Sequence, residues 1–276
     1  MQTKPVISQL LQKASEIRKN IIRSVHAAKS GHPGGSLGSA DILTVLYFYA
    51  MNIDPKNPQS EDRDRFVLSK GHNAPALYAA LAERGYFPKE DLLTLRKLGS
   101  HLQGHPSMKS TLGVDMSTGS LGQGVSAAAG MALGLKLKGG AQRVYTLLGD
   151  GEVAEGEVWE AFLFAAHYRL DNLCVIIDIN GLQIDGKTCE VMNTSPIKDK
   201  MQSFGFYTIE CDGNSMSELI TAFDKAKTVQ GQPVCVLCKT IKGKGVSFME
   251  NNAGWHGKAP NDQEAHEALK QLGGVH

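Results

Sequence analysis

Arg143-Val144-Tyr145-Thr146-Leu147-Leu148-Gly149-Asp150-Gly151-Glu152 runs from a short apolar stretch into an acid flanked by two glycines, and a helical pattern over 156–168 follows it. The apolar run reads as a buried strand, bounded as it is by turn residues. Thirty residues after the first acid comes Ile177-Asp178-Ile179-Asn180-Gly181-Leu182, the end of a second apolar run that starts near Asn172. Strand, glycine turn, helix, strand is the unit of a doubly wound sheet, in which neighbouring strands run parallel and a helix joins them.

Outward from that unit the same alternation holds. Further strands are predicted over 205–210 and 233–239, with a helix over 217–228 between them. Upstream, the apolar spacing Ile7, Leu10, Leu11, Ala14, Ile17, Ile21, Val25 predicts a helix over 4–29. Helices are also predicted over 39–51, 74–84 and 125–138. The expected fold class is α/β: a doubly wound, mostly parallel sheet flanked by helices. One domain over 1–257 is expected, with a polar C-terminal tail over 258–276.

The chain has 276 residues and a formal net charge of +1, so no global field favours nucleic acid or an anionic membrane. No apolar run approaches the about 20 residues a membrane-spanning helix needs. The N-terminus mixes Lys, Gln, Glu and Arg and has no signal-peptide pattern. Five cysteines at irregular spacing fit a reducing cytoplasm better than a disulfide framework. Cys235-Val236-Leu237-Cys238 has the spacing of a redox or zinc pair, but it lies in an apolar run read as a strand. Residues three apart on a strand point to opposite faces, so two core thiols are expected there.

The ends of the two central strands carry the chemistry. Ligands of doubly wound sheets bind at the carboxyl ends of strands. Gly149 and Gly151 leave room for a phosphate beside the backbone. Asp150 would then face another anion, so a cation is expected between them. Asp150 can give a carboxylate oxygen, Asn180 an amide oxygen and Leu182 a backbone carbonyl. With phosphate oxygens and a water these hard ligands suit Mg2+ (or Ca2+). Either tripeptide alone would be only a turn or a hairpin signal; their placement at two strand ends across one helix favours the ion. Lys242-Gly243-Lys244-Gly245 lacks the Gly-x-x-x-x-Gly-Lys-Ser/Thr pattern of a phosphate loop, which disfavours an NTPase.

The spacing of Gly149-Asp150-Gly151 and Asn180 is similar to the thiamine diphosphate motif. The likeness extends through Ser30-Gly31-His32-Pro33-Gly34, Phe66-Val67-Leu68-Ser69-Lys70-Gly71-His72, Gly104-His105-Pro106, Thr118-Gly119-Ser120-Leu121-Gly122-Gln123-Gly124 and His256-Gly257. In that order, from about residue 17 to 257, the chain resembles the amino-terminal half of transketolases. The resemblance implies the thiamine diphosphate-binding fold, with thiamine diphosphate as cofactor. It implies that His72, Gly119, Ser120, Leu121 and His256 contact the cofactor. Gly149, Asp150, Gly151 and Asn180 would hold its diphosphate end, and Asp150, Asn180 and Leu182 the metal. His32, His72, His105 and His256 would form the catalytic set. His is the side chain whose ordinary pKa suits proton movement near neutral pH. His26, His101, His167, His266 and His276 read as solvated surface residues. Glu155 and Glu160 match a family carboxylate cluster at a subunit contact, or else a solvated helix start.

In the family a second α/β domain binds the pyrimidine ring and supplies a glutamate to it. No second array of strands and helices follows residue 257. The resemblance therefore implies a separate C-terminal subunit with the pyrimidine domain and its glutamate, two copies of each chain, and sugar phosphate substrates. Related readings are a specialised sugar ketolase, a non-catalytic cofactor-binding subunit, and a subunit of the deoxyxylulose-phosphate synthase or 2-oxo-acid dehydrogenase kind. Gly104-His105-Pro106 and Trp255-His256-Gly257 match transketolases better than either of the last two enzymes.

Overall fold

The computed structural model describes residues 6–273. Residues 4 and 5, where the first helix was expected to start, and His276 lie outside the described residues. Helix α1 (Ile7–Ala28) is followed by α2 (Pro33–Gly38) and α3 (Ala40–Val45), which continues into a π turn over Leu46–Ala50. Strand β1 (Arg65–Leu68) leads through a short turn to α4 (Ala74–Arg84). The centre is α5 (Gln123–Leu137), β2 (Val144–Gly149), α6 (Gly156–His167) and β3 (Leu173–Ile179). A hairpin of β4 (Leu182–Gln183) and β5 (Gly186–Lys187) follows, then α7 (Thr188–Val191) and α8 (Ile197–Ser203). Last come β6 (Tyr207–Asp212), α9 (Met216–Thr228), β7 (Val234–Lys239) and α10 (Asp262–Gln271).

Five strands form one parallel sheet in the order β1-β2-β3-β7-β6. The chain steps one way from β2 to β3 through α6 and the other way from β6 to β7 through α9. Right-handed crossovers then place α6 and α9 on opposite faces, and the core divides accordingly. Leu147, Ile176 and Val236 sit side by side in the sheet and face α1, α4 and α9. Val175, Cys235 and Leu148 face α5, α6 and α8. Burial on both faces explains why these strands are almost continuously apolar. It also puts Cys235 and Cys238 in different cores, as strand alternation requires.

The segment expected as a polar tail carries α10. Asn261 caps it, accepting from Glu264 N at 2.8 Å, while the Glu264 carboxylate accepts from Asn261 N at 2.8 Å. Ala265 and Ala268 of α10 are buried in the core that holds α1. Strand β1 had not been expected. At four residues it is too short to show a period, and it is recognised only by pairing with β2.

Candidate active site

Asp150 lies one residue past the end of β2, in register with the tip of β3. Its backbone N–H donates to Asp178 O at 3.1 Å. One carboxylate oxygen accepts from Gly151 N (3.0 Å) and the other from Gly181 N (2.7 Å). Gly181 takes a left-handed φ of 73°, which turns that N–H back toward the acid. Gly151 is required for a different reason: a Cβ there would meet Gln183 Cβ at 2.9 Å. Asn180 Oδ1 accepts from Leu182 N at 3.1 Å, closing a side-chain turn. Asp150 is 3% exposed. Burial, and then repulsion from Asp178, raise its carboxyl pKa to about 6. A buried acid so placed favours a cation beside it.

Asp150, Asn180 and Leu182 supply one charged and two neutral oxygens. Among the described residues no cluster of three His, Cys, Asp or Glu side chains can hold an ion. This set therefore fits a hard cation only if an anionic ligand supplies further oxygens, as a diphosphate does.

The histidines converge beside these tips. The rings of His32, His72 and His256 lie 5.3, 5.3 and 5.1 Å apart in their three pairings. His105 packs against Gly119, where a Cβ would meet its ring at 3.1 Å. Glycine makes these close approaches possible, since a Cβ at Gly71 would meet Gly119 N at 2.7 Å and one at Gly124 would meet Ser69 Cα at 2.6 Å. Leu121 is half-buried in the same loop and Ser120 is exposed.

All four imidazoles are held toward the neutral form. Burial, then Arg96, His105 and Lys242, lower His32 to about 4. Burial, then Lys242, His32 and Lys70, lower His256 to about 4. His72 is lowered by burial and then by Lys70, and His105 by burial and then by Arg96. Neutral imidazoles can both accept and donate a proton, which is the requirement for a relay.

Four further residues build the site and were not singled out from the sequence. Two are Lys70 and Lys242, each 2% exposed. Lys70 pairs with the buried Asp178, the third, whose other oxygen accepts from Thr240 Oγ1. Lys242 Nζ lies 3.1 Å from His256 Nδ1. An ammonium there donates to Nδ1 and leaves the ring proton on Nε2. Burial and then Lys70 lower Lys242 to about 8. The two lysines join the strand-tip group to the histidine group. Their signal was present in Ser69-Lys70-Gly71-His72 and Lys242-Gly243, but a lysine in a glycine loop is indistinguishable from a solvated one until its burial is known.

Glu152 is the fourth. Its buried carboxylate accepts from Ser69 Oγ (2.5 Å), Gly122 N (3.0 Å) and Gly149 N (3.1 Å), locking three loops together. Glu152→Gln replaces one acceptor oxygen by a donor facing these groups. A loss of about 1–3 kcal/mol in stability is expected, read by urea denaturation. An unchanged midpoint would mean the three bonds are redundant.

Of the histidines expected as solvated surface residues, His167 and His266 are exposed, whereas His26 and His101 are half-buried and pair with Asp262 and Asp91. Glu155 and Glu160 are exposed at the start of α6, and Leu163 and Tyr168 add exposed apolar surface to that region.

Comparison with known proteins agrees with the geometry. The family description "Transketolase, thiamine diphosphate binding domain" matches residues 10–276. The chain is 46% identical over 263 residues to the 6-deoxy-6-sulfo-D-fructose transketolase subunit of Clostridium sp. (strain MSTE9), covering 95% of this chain and 96% of that one. It is 40% identical over 265 residues to an apulose-4-phosphate transketolase subunit from Actinobacillus succinogenes, covering 96% of each. The transketolase of Campylobacter jejuni superposes with a TM-score of 0.91 at 34% identity. That match takes in 98% of this chain but only 43% of the Campylobacter one, so the chain spans about two fifths of such full-length enzymes. Fold, strand-tip acid and amide, and sequence likeness agree: this chain belongs to the transketolase family and is its thiamine diphosphate-binding domain.

Proposed function

We propose that this chain is the diphosphate-holding subunit of a two-chain transketolase, moving a two-carbon ketol unit from a ketose phosphate to an aldose phosphate. The observation that carries this reading is the junction of two groups. Buried Lys70 and Lys242 link the Asp150–Asn180 strand tips to the His32–His72–His256 cluster. An anion bound at the tips would face Lys242 and the Lys70–Asp178 pair, and the rest of the same ligand would lie along the imidazoles.

Asp150, Asn180 and Leu182 would hold Mg2+ or Ca2+, with Gly149 and Gly151 against the diphosphate. Bound thiamine diphosphate supplies the electron sink for the two-carbon fragment. His32, His72, His105 and His256 orient the sugar hydroxyls and carry protons, and the Gly119–Leu121 loop closes the cofactor side. A partner subunit with a pyrimidine domain would complete the site, in an assembly of two copies of each chain. The relatives named as subunits support a separate partner. The exposed face of α6 with Glu155, Glu160 and Leu163 offers it a surface. The names of both relatives describe anionic ketoses, which favours an anionic sugar here as well. No helix among the described residues is long and apolar enough to cross a membrane. The five cysteines are free thiols, which fits work in a reducing cytoplasm.

The test is reconstitution. The chain and its partner together, with thiamine diphosphate and Mg2+, are expected to transfer ketol units; the isolated chain is not. Full turnover by the isolated chain would overturn the two-chain reading. Unchanged turnover in His32→Ala and His256→Ala would show a scaffold rather than a catalytic subunit.

A further inference from the structure

Arg96 stands at the mouth of the histidine cluster in an unusual state. Its backbone φ is +60°, a left-handed conformation that costs a non-glycine residue about 1–2 kcal/mol. Its N–H donates to Leu102 O at 2.9 Å and closes the 96–102 loop. From there the side chain reaches two other loops. Nη1 donates to Ser30 Oγ at 3.1 Å, and Nη2 lies 3.4 Å from Gly104 O. Ser30 is two residues before His32, and Gly104 is next to His105. The guanidinium lies so close over Gly104 that a Cβ there would meet Arg96 Cζ at 3.1 Å. Arg18 and Arg63 each pair with an aspartate, whereas among the described residues the Arg96 guanidinium bonds a hydroxyl and a carbonyl.

We infer that Arg96 is a positioning residue for the histidine cluster: one guanidinium fastens the loop carrying His32 to the loop carrying His105 and leaves an unneutralised positive charge between them. The inference rests on reading that cluster as the proton relay. The backbone of His32 is held by Ser36 Oγ, which donates to its carbonyl at 2.6 Å, whereas among the described residues its ring Nδ1 is buried without a hydrogen-bond partner. The groups that face His32 are Arg96 and His105 on one side, Lys242 and His256 on another, and His72 with Lys70 behind it. For His105 the charged neighbour is Arg96. Arg96 therefore acts on both imidazoles at once, and its side chain is exposed, whereas Lys70 and Lys242 are buried.

The sign is fixed by the charge. A cation disfavours imidazolium, so removing it must raise the pH at which His32 and His105 titrate. Histidine NMR titration of the isolated chain reads this without partner or cofactor. Arg96→Gln keeps a hydrogen-bonding arm and removes the charge, and both midpoints are expected to rise. Arg96→Lys keeps the charge and is expected to hold the midpoints nearer to wild type. In wild-type protein, raising salt from low to molar concentration is expected to shift the same two midpoints upward, because an exposed charge is screened; this needs no variant to fold. Midpoints of His32 and His105 that ignore both Arg96→Gln and salt would overturn the inference. A wrong transketolase reading would show separately, as absent thiamine diphosphate uptake by the two-chain protein.

Discussion

Asp150→Ala is expected to abolish thiamine diphosphate uptake by the two-chain protein, with a loss of at least about a hundredfold in affinity. The magnitude follows from removing one member of a buried charge pair, which costs about 3–5 kcal/mol, each 1.4 kcal/mol being a factor of ten. Alanine also leaves the N–H groups of Gly151 and Gly181, which now converge on the carboxylate, without their acceptor. The pH dependence has a definite direction. In the cofactor-free chain the Asp150 carboxyl ionises near pH 6 instead of near 3.8. The folded state thus holds that proton more tightly than the unfolded state does. Stability falls as pH rises from about 4 to about 6, by roughly 3 kcal/mol in all, and the loss is complete above pH 6. Metal needs the carboxylate, so cofactor uptake runs the other way and weakens as pH falls through 6. Calorimetry with Mg2+ between pH 5 and 8 reads this. An affinity that Asp150→Ala leaves intact would exclude an ion held at the strand tips.

The strand-tip acid and amide could be read from the sequence, whereas other parts of the site could not. Asp150 and Asn180 sit in local patterns, a glycine-flanked acid after one apolar run and an amide after the next, and local patterns survive in one dimension. The parallel sheet was legible for the same reason: β2, β3 and β7 are apolar runs bounded by turn residues, while β6, the edge strand, mixes Thr, Glu and Asp with its apolar residues. The histidines were legible as loop residues beside glycine, but not as a cluster. Their ring contacts join residues 32, 72 and 256, and only the sheet brings these together. Lys70, Lys242, Glu152 and Arg96 were not legible as site residues. Each has a composition-level reading as a surface charge, and what distinguishes them is burial or a partner far away in sequence. Asp178 and Lys70, 108 residues apart, are the extreme case.

Lys70→Met is expected to destabilise the chain by about 3–5 kcal/mol, because it strands a buried anion. Asp178 has a fully buried side chain. With the ammonium gone, it would retain only the Thr240 hydroxyl and, at 3.3 Å, the Asn180 amide. Asp178 also repels Asp150, so an unpaired Asp178 would push the Asp150 carboxyl further from its ionised form. Stability and cofactor binding can be separated by a second change. Lys70→Met with Asp178→Asn removes both charges, keeps an acceptor for Thr240, and is expected to restore most of the lost stability in urea denaturation. It is not expected to restore thiamine diphosphate uptake, since the buried cation beside the Gly149 turn is still missing. A double variant that binds cofactor like the wild type would confine Lys70 to neutralising Asp178. A single variant as stable as the wild type would mean that water or Lys242 reaches Asp178 when Lys70 is gone, and that the strand tips are less closed than their burial implies.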